Sequence, residues 1–358
     1  MTHASYRWLS KLPGDGWKPG LTRRLFLASA AAPVLYGQKA ELSSFDLSLL
    51  DQPATPNDLF FVRDHFPTPN VTSAGWTLAV GGAVAAPLEI PFDDLAARPR
   101  KALGVTLECA ENPAGGGLVS HAEWSGVSLA SILQAARPAA EAGAIRLDGA
   151  DGFSRVVPLA KAMGPDSLLA LTMNGEKLPV NHGFPLRAII PGWYGMDSVK
   201  WLQRIVVLGP SDPVLDFQSS GMNRIYNRVM KVPSGEQKIT RLTEIQVRSV
   251  VAWPPDNARL IAERYEVRGF AWTGSGLVAA VNFSNDGGRT WTPAQLESRA
   301  RPFTWVRWKA PWRATAGEHV LMSRASDDAG RRQPLDRDPL RRDAYELNYC
   351  APVRCLVR

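Results

Sequence analysis

From Trp76 onward the chain is a succession of short apolar runs cut by turn residues, and few of them carry a helical period. Trp76-Thr77-Leu78-Ala79-Val80 reads as a strand ended by Gly81-Gly82, with Pro87-Leu88-Glu89-Ile90 as its partner. Phe92-Asp93-Asp94-Leu95 begins a short helix that stops before Pro99. Ser128 to Ala136 has the clearest helical pattern: Ser128 caps it, Leu129, Ile132 and Leu133 form its apolar stripe, and Pro138 follows its end. Gly104 to Leu107 and Ile145 to Leu147 are strand-like, and a short helix is expected over Val157 to Met163. Leu168 to Met173, Asn174-Gly175 and Lys177-Leu178 make a hairpin with Asn-Gly as its turn. Arg187 to Ile190 and Ile205 to Leu208 add further strands. Strands interleaved with short helices over residues 76–209 predict an α+β core domain.

The pattern then changes. Residues 210–243 are polar and broken by Pro and Gly, a connector expected to carry a loop over the site. Residues 244–358 alternate as strands throughout, in Ile245 to Val250, Tyr265 to Phe270 and Trp305 to Trp308. Asn285-Asp286-Gly287-Gly288 is a turn between Val281-Asn282-Phe283 and Thr290-Trp291. Strands at this spacing predict a β-sandwich of immunoglobulin type. Residues 41–75 read as an extended arm ending in Phe60 to His65. Residues 1–40 hold Thr22-Arg23-Arg24-Leu25-Phe26-Leu27-Ala28, which looks like a twin-arginine export signal and predicts a periplasmic location. The apolar run Leu25 to Tyr36 is shorter than the ~20 residues that span a bilayer. Cleavage is expected near Ala30 to Ala32 or Gln38 to Ala40, so the segment is set apart from the fold.

Composition adds bounds. The 358 residues are 45% hydrophobic and 21% charged, an ordinary globular balance with length for two domains. The net charge of +7 comes from scattered Lys and Arg with no nucleic-acid motif, so nucleic acid is not an expected partner. An anionic substrate, an anionic cofactor or an acidic redox partner fits that charge. Three cysteines do not make a disulfide framework. Cys350 and Cys355 fall on an expected final strand, where five residues span on the order of 17 Å. They are packing residues unless a turn at Ala351-Pro352 folds them together. Cys109 differs, because Thr106-Leu107-Glu108 delivers it to a strand end before Pro113 and Gly115-Gly116-Gly117. A thiolate there suits a soft metal or a nucleophile, although a free cysteine taken alone is more often buried and inert.

Four stretches shift that balance. Phe60-Phe61-Val62-Arg63-Asp64-His65 precedes Cys109, and Asn181-His182-Gly183-Phe184-Pro185-Leu186-Arg187 and Gly195-Met196-Asp197-Ser198-Val199-Lys200-Trp201-Leu202 follow it. With Leu107-Glu108-Cys109-Ala110 they resemble, in order and spacing, the sulfite oxidase family of molybdopterin enzymes, over about residue 55 to the C-terminus. The resemblance implies a sulfite-oxidase-type mixed α/β molybdopterin-binding core followed by an immunoglobulin-like dimerisation domain, which Ser284 to Trp291 also resembles. It implies a molybdenum–molybdopterin cofactor with Cys109 as the protein's metal ligand. It places His182, Arg187 and Lys200 at the cofactor's phosphate, where Arg can bond two oxygens. Phe61, Val62, Arg63, Asp64 and His65 would wrap the pterin, Asp151 would accept from its N–H groups, and Ser198 and Val199 would add contacts. Arg63 would also face the substrate, and Tyr226 is a looser match to a tyrosine near the reacting centre.

Two departures bear on the substrate. Where the family continues with Ala-Gly-Asn-Arg-Arg, this chain has Ala110-Glu111-Asn112-Pro113-Ala114. A second family arginine, on the last strand, is replaced by Pro352, leaving Arg354 or an arginine of residues 224–231 to supply the charge. The resemblance implies oxidation of sulfite to sulfate and a homodimer; since no Cys-x-x-Cys-His is present, electrons are expected to pass to a separate c-type cytochrome, with oxygen as the alternative acceptor. The missing arginines favour the alternative, reduction of a sulfoxide or similar small molecule. A third possibility, a non-catalytic exported β-protein, predicts no molybdenum.

Overall fold

The computed structural model describes residues 42–43, 47, 53–212, 225–232 and 235–358. The expected export signal lies outside the described residues. Among these residues there are twenty-three strands but only three α-helices, of five, eight and four residues. The protein is mostly sheet, so the α+β class expected from sequence fits only loosely. Most apolar runs are too short for helices and lack their spacing. The helix Leu129–Ala136 forms where stripe and cap coincide: Ser128 Oγ accepts from Ser131 N at 3.3 Å, and Leu129, Ile132, Leu133 and Ala136 are buried.

Two sheets build the first half. One is antiparallel, in the order Glu176–Lys177, Leu168–Met173, Val119–Ser128, Lys101–Glu108, with Arg187–Ile189 also pairing Leu168–Met173. It brings the two ends that matter, Glu108 and Arg187, into one sheet. The other runs Leu88–Pro91, Thr77–Gly82, Leu202–Leu208, Ala144–Gly149, Ser154–Pro158, with one parallel pair between Thr77–Gly82 and Leu202–Leu208. Gly81 and Gly82 extend the first strand instead of ending it, because Val206 and Val207 pair with them. The helix expected over Val157 to Met163 shrinks to Leu159–Ala162, since Val157 pairs with Ile145 and Pro158 suits only a helix start.

The second half has a four-stranded and a five-stranded sheet. Alternation along Val306–Arg313 turns Val306, Trp308, Ala310 and Trp312 inward, where they share a core with Val267, Val281, Phe283 and Leu321. Each fully buried side chain of this size contributes about 1.5–3 kcal/mol. Strand structure begins at Arg248, later than the expected Ile245, because the backbone of Ile245 bonds Gly192 O and Gly274 N instead. Thr290-Trp291 precede their strand, which is Thr292–Pro293. Cys350 and Cys355 are both buried and free, and Cys350 lies ahead of the final strand Val353–Val357.

The halves share one apolar core. Ile132, Leu147 and Ile205 belong to the same cluster as Val250, Phe270, Trp272 and Trp305. The strand Lys101–Glu108 runs into this junction, so its first residues are exposed and its last four are buried. Thr106 N donates to Phe303 O at 2.8 Å, and Trp305 N donates to Thr106 Oγ1 at 2.8 Å.

Candidate active site

Cys109 leaves the end of that strand and enters a tight turn. Asn112 N donates to Cys109 O at 2.9 Å, and Cys109 N donates to Leu118 O at 2.9 Å. The turn is pinned from below by a buried carboxylate. Glu108 accepts from Asn112 Nδ2 at 2.9 Å, Arg248 Nη1 at 2.6 Å and Trp272 Nε1 at 2.8 Å. Asn112 Oδ1 in turn accepts from Leu118 N at 2.9 Å. A carboxylate removed from water needs such partners, and here two of them come from the second half of the chain. Inside the turn, Glu111 N points at Cys109 Sγ, 3.4 Å away.

The thiol opens on a cavity. Phe61, Arg63, Asp64 and His65 line it from the arm; Asp151, His182, Arg187 and Tyr226 line it from four other segments. Ser198, Val199 and Lys200 complete the set that sequence reasoning put forward. Val62 is the exception: it is buried but does not line the cavity, because strand alternation turns it away from Arg63. The positively charged groups approach closely because residue 183 is glycine. Its φ is 109°, and a Cβ there would stand 3.1 Å from Lys200 Cα and 3.2 Å from Arg187 Cβ. Trp201 and Tyr226 at the cavity, and Glu346 behind it, hold positive φ values of 49°, 61° and 53°. Such strain in non-glycine residues gathers at functional sites.

The charges fall into two groups. In the first, Asp64 is buried and pairs with Lys200, whose Nζ also donates to Asn181 O at 2.9 Å. Arg187, also buried, donates to Ser198 O at 3.2 Å and His182 O at 3.3 Å. Burial drives Lys200 down to about 8 and Arg187 down to about 10, against the pull of Asp64. Burial likewise lifts Asp151 to about 6. His182 is pushed to about 3 by burial and by Arg187, so its ring is neutral. Its Nε2 lies 2.9 Å from Asn57 O and must donate there, which leaves Nδ1 an acceptor and gives the cavity no donor from this ring.

The second group surrounds the thiol. Arg63 holds Glu111 at two points, Nε to Oε2 at 2.8 Å and Nη2 to Oε1 at 3.3 Å. The Tyr226 hydroxyl is hydrogen-bonded to His65 Nε2, and the His65 ring stacks on Phe153 at 4.9 Å. Burial and then the negative charge of Glu111 push the Tyr226 hydroxyl well above its usual range. Burial pushes the Cys109 thiol up to about 12, so a bound metal is what would draw off its proton.

Some expected charges are elsewhere. Arg354 is exposed, and its backbone N–H is given to Asp256. Pro352 lines a separate groove with Gly115 and Gly116. Of the arginines in residues 224–231, Arg228 is paired with Glu346, and Arg224 lies outside the described residues. Other groups had been missed. Phe153 follows Asp151 in one loop and Trp201 adjoins Lys200, so proximity in sequence was a usable signal for both. Tyr345, whose ring lies 5.1 Å from Tyr226, and Glu346, whose N–H donates to Ala110 O at 2.8 Å, carried no signal, being far away in the chain.

Comparison with known proteins places this geometry. The oxidoreductase molybdopterin binding domain matches residues 65–213, and the Mo-co oxidoreductase dimerisation domain matches residues 239–341. Mitochondrial sulfite oxidase of Homo sapiens is 34% identical over 312 residues, which are 78% of this chain and 57% of that protein. Sulfite oxidase of Gallus gallus is 31% identical over 318 residues, 80% of this chain and 69% of that protein. The chain therefore spans little more than half the length of the human relative. The crystal structure of the sulfane dehydrogenase SoxCD from Paracoccus pantotrophus matches with a TM-score of 0.79 at 28% identity, over 89% of this chain and 86% of that one. With both domains in order and these relatives on either side of them, the chain belongs to the sulfite oxidase family of molybdopterin-dependent oxidoreductases.

Proposed function

We propose that this protein oxidises sulfite to sulfate, with Cys109 as the protein ligand of its molybdenum–molybdopterin cofactor. Sulfite and water give sulfate, two protons and two electrons. The observation that carries this is the meeting, in one cavity, of a lone thiol with two buried cations, Arg187 and Lys200. The residues fit the cofactor. Two positive groups share one close carboxylate, Asp64, and burial lowers both their pKa values, so a phosphate that supplies a further counter-charge suits the place. Among the described residues no three His, Cys, Asp or Glu side chains gather as a metal site, so a metal beside Cys109 needs ligands that a cofactor brings.

When bound, the cofactor supplies oxo transfer and the two-electron change. The chain's residues do the rest. Glu108 and Asn112 fix the turn that aims Cys109 Sγ. Arg187 and Lys200 hold the phosphate. Asp151 and the cavity face of Asp64 accept from pterin N–H groups, and Phe61, Phe153 and Trp201 keep water out. Arg63 and Tyr226 face the substrate, and the Tyr226 hydroxyl keeps its proton at neutral pH, so it acts as a hydrogen-bond donor.

The test is direct. Protein matured in cells that make the cofactor is expected to carry about one molybdenum and one pterin per chain and to reduce ferricyanide with sulfite, and Cys109→Ser to lose that activity. A folded sample without metal or pterin overturns the proposal. A second reading, reduction of a sulfoxide, draws on the carboxylate of Glu111 beside Arg63; a viologen-linked sulfoxide assay run beside the sulfite assay separates the two. The description of the matched dimerisation domain supports a homodimer formed through an immunoglobulin-like second half. A c-type cytochrome as acceptor and export to the periplasm rest on the sequence alone.

A further inference from the structure

We infer that Glu111 is a specificity-determining residue, which withholds Arg63 from doubly charged oxyanions and sets the site for a sulfur substrate with at most one negative charge. This rests on the sulfur-oxidising reading above. Arg63 is the cation of the thiol's own group that lines the cavity. Three of its five N–H donors are engaged, on the side of its fork nearest the thiol's turn: Nε and Nη2 face the two oxygens of Glu111, and Nη1 donates to Asp64 O. A carboxylate bound at two points occupies the same fork that a sulfite or sulfate ion would use. It also cancels the guanidinium charge, so an incoming dianion meets a neutral pair.

The backbone of Glu111 is fixed: it is the third residue of the Cys109–Asn112 turn, its own N–H points at Cys109 Sγ, and Asn112 is locked to Glu108 and Leu118, so the carboxylate starts within reach of Arg63. No arginine follows to restore the lost charge, since Asn112-Pro113-Ala114 come next. Among the described residues, the other two candidates are elsewhere: Arg354 is exposed and Arg228 is paired with Glu346. The chemistry left to Arg63 and the Tyr226 hydroxyl is that of orienting a weakly charged molecule: singly protonated sulfite, or a sulfur centre carrying an organic substituent. The pair is part-exposed, with side chains 25% and 33% accessible, so the discrimination is moderate.

Glu111→Gln keeps the size and one acceptor while removing the charge. In the holoenzyme this variant is expected to bind sulfate about 5-fold more tightly by calorimetry, a step of the size that one part-exposed charge pair supplies. Its KM for sulfite should fall by a similar factor with kcat within about twofold, and inhibition by uncharged dimethyl sulfoxide should not move. Adding Arg63→Gln should abolish the gain in sulfate affinity. Unchanged sulfate binding and unchanged KM in E111Q overturn the inference, as does a gain that survives in the double variant. Sulfate binding does not depend on turnover. A wild-type enzyme that fails to oxidise sulfite, while E111Q still tightens on sulfate, would sink the proposed reaction and leave the role of Glu111 standing.

Discussion

Lys200 is charged only while the pH stays near or below its lowered value. Burial puts that value at about 8, where an unburied lysine would keep its proton two units higher. In its proposed place beside the cofactor's phosphate it is charged at neutral pH, so retention of the cofactor should be complete there and weaken as pH rises above about 8. Pterin fluorescence of desalted holoenzyme should show less retained cofactor at pH 9.5 than at pH 7, and K200R, charged at both, should flatten the difference. His182 behaves in the opposite window. It is 1% exposed and neutral in the fold down to about pH 3, whereas the unfolded chain protonates it near 6.5. Below 6.5 the unfolded state binds the extra proton, so stability falls with falling pH, by about 2 kcal/mol at pH 5 from this residue alone. Urea melts of cofactor-free protein at pH 7 and 5 should show a smaller pH difference in His182→Asn. The residue types at this site were legible in the sequence because each lies in a short local motif. The tautomer of His182 was not, because it is set by the carbonyl of Asn57, far off in the chain.

At the scale of elements, the turn that carries Cys109 belongs to two sheets at once. The strand Lys101–Glu108 supplies the carboxylate of Glu108, and the strands Arg248–Trp253 and Arg264–Trp272 supply Arg248 and Trp272 to hold it. The Glu108–Arg248 pair is almost wholly buried, so removing one partner leaves a charge without compensation. Arg248→Ala should cost about 3–5 kcal/mol in a urea melt and lower molybdenum content, whereas Glu108→Gln with Arg248→Met should cost clearly less. Strand positions in both halves could be read from alternation and turn residues, and the capped helix at Ser128 from its stripe. What alternation could not reveal is which strand ends meet. Ile245 looked like strand from its own neighbours, yet its backbone bonds belong to Gly192 and Gly274.

Across the whole molecule, the two matched domains are less separable than the break in pattern near residue 244 suggests. They share an apolar cluster, the ion pair at Glu108 and the bonds from Thr106 to Phe303 and Trp305. A chain of residues 53–243 alone should bind no molybdenum when produced in cofactor-making cells, as metal analysis would show, because Glu108 would lose both Arg248 and Trp272. The segment around Tyr345 and Glu346 carries this further. It backs Tyr226 and ties into Ala110, one residue from Cys109. During synthesis nearly the whole of the described chain must therefore emerge from the ribosome before the residues that back Tyr226 are in place. Stable loading of the metal group is then expected as a late event, on a finished polypeptide in preference to a growing one.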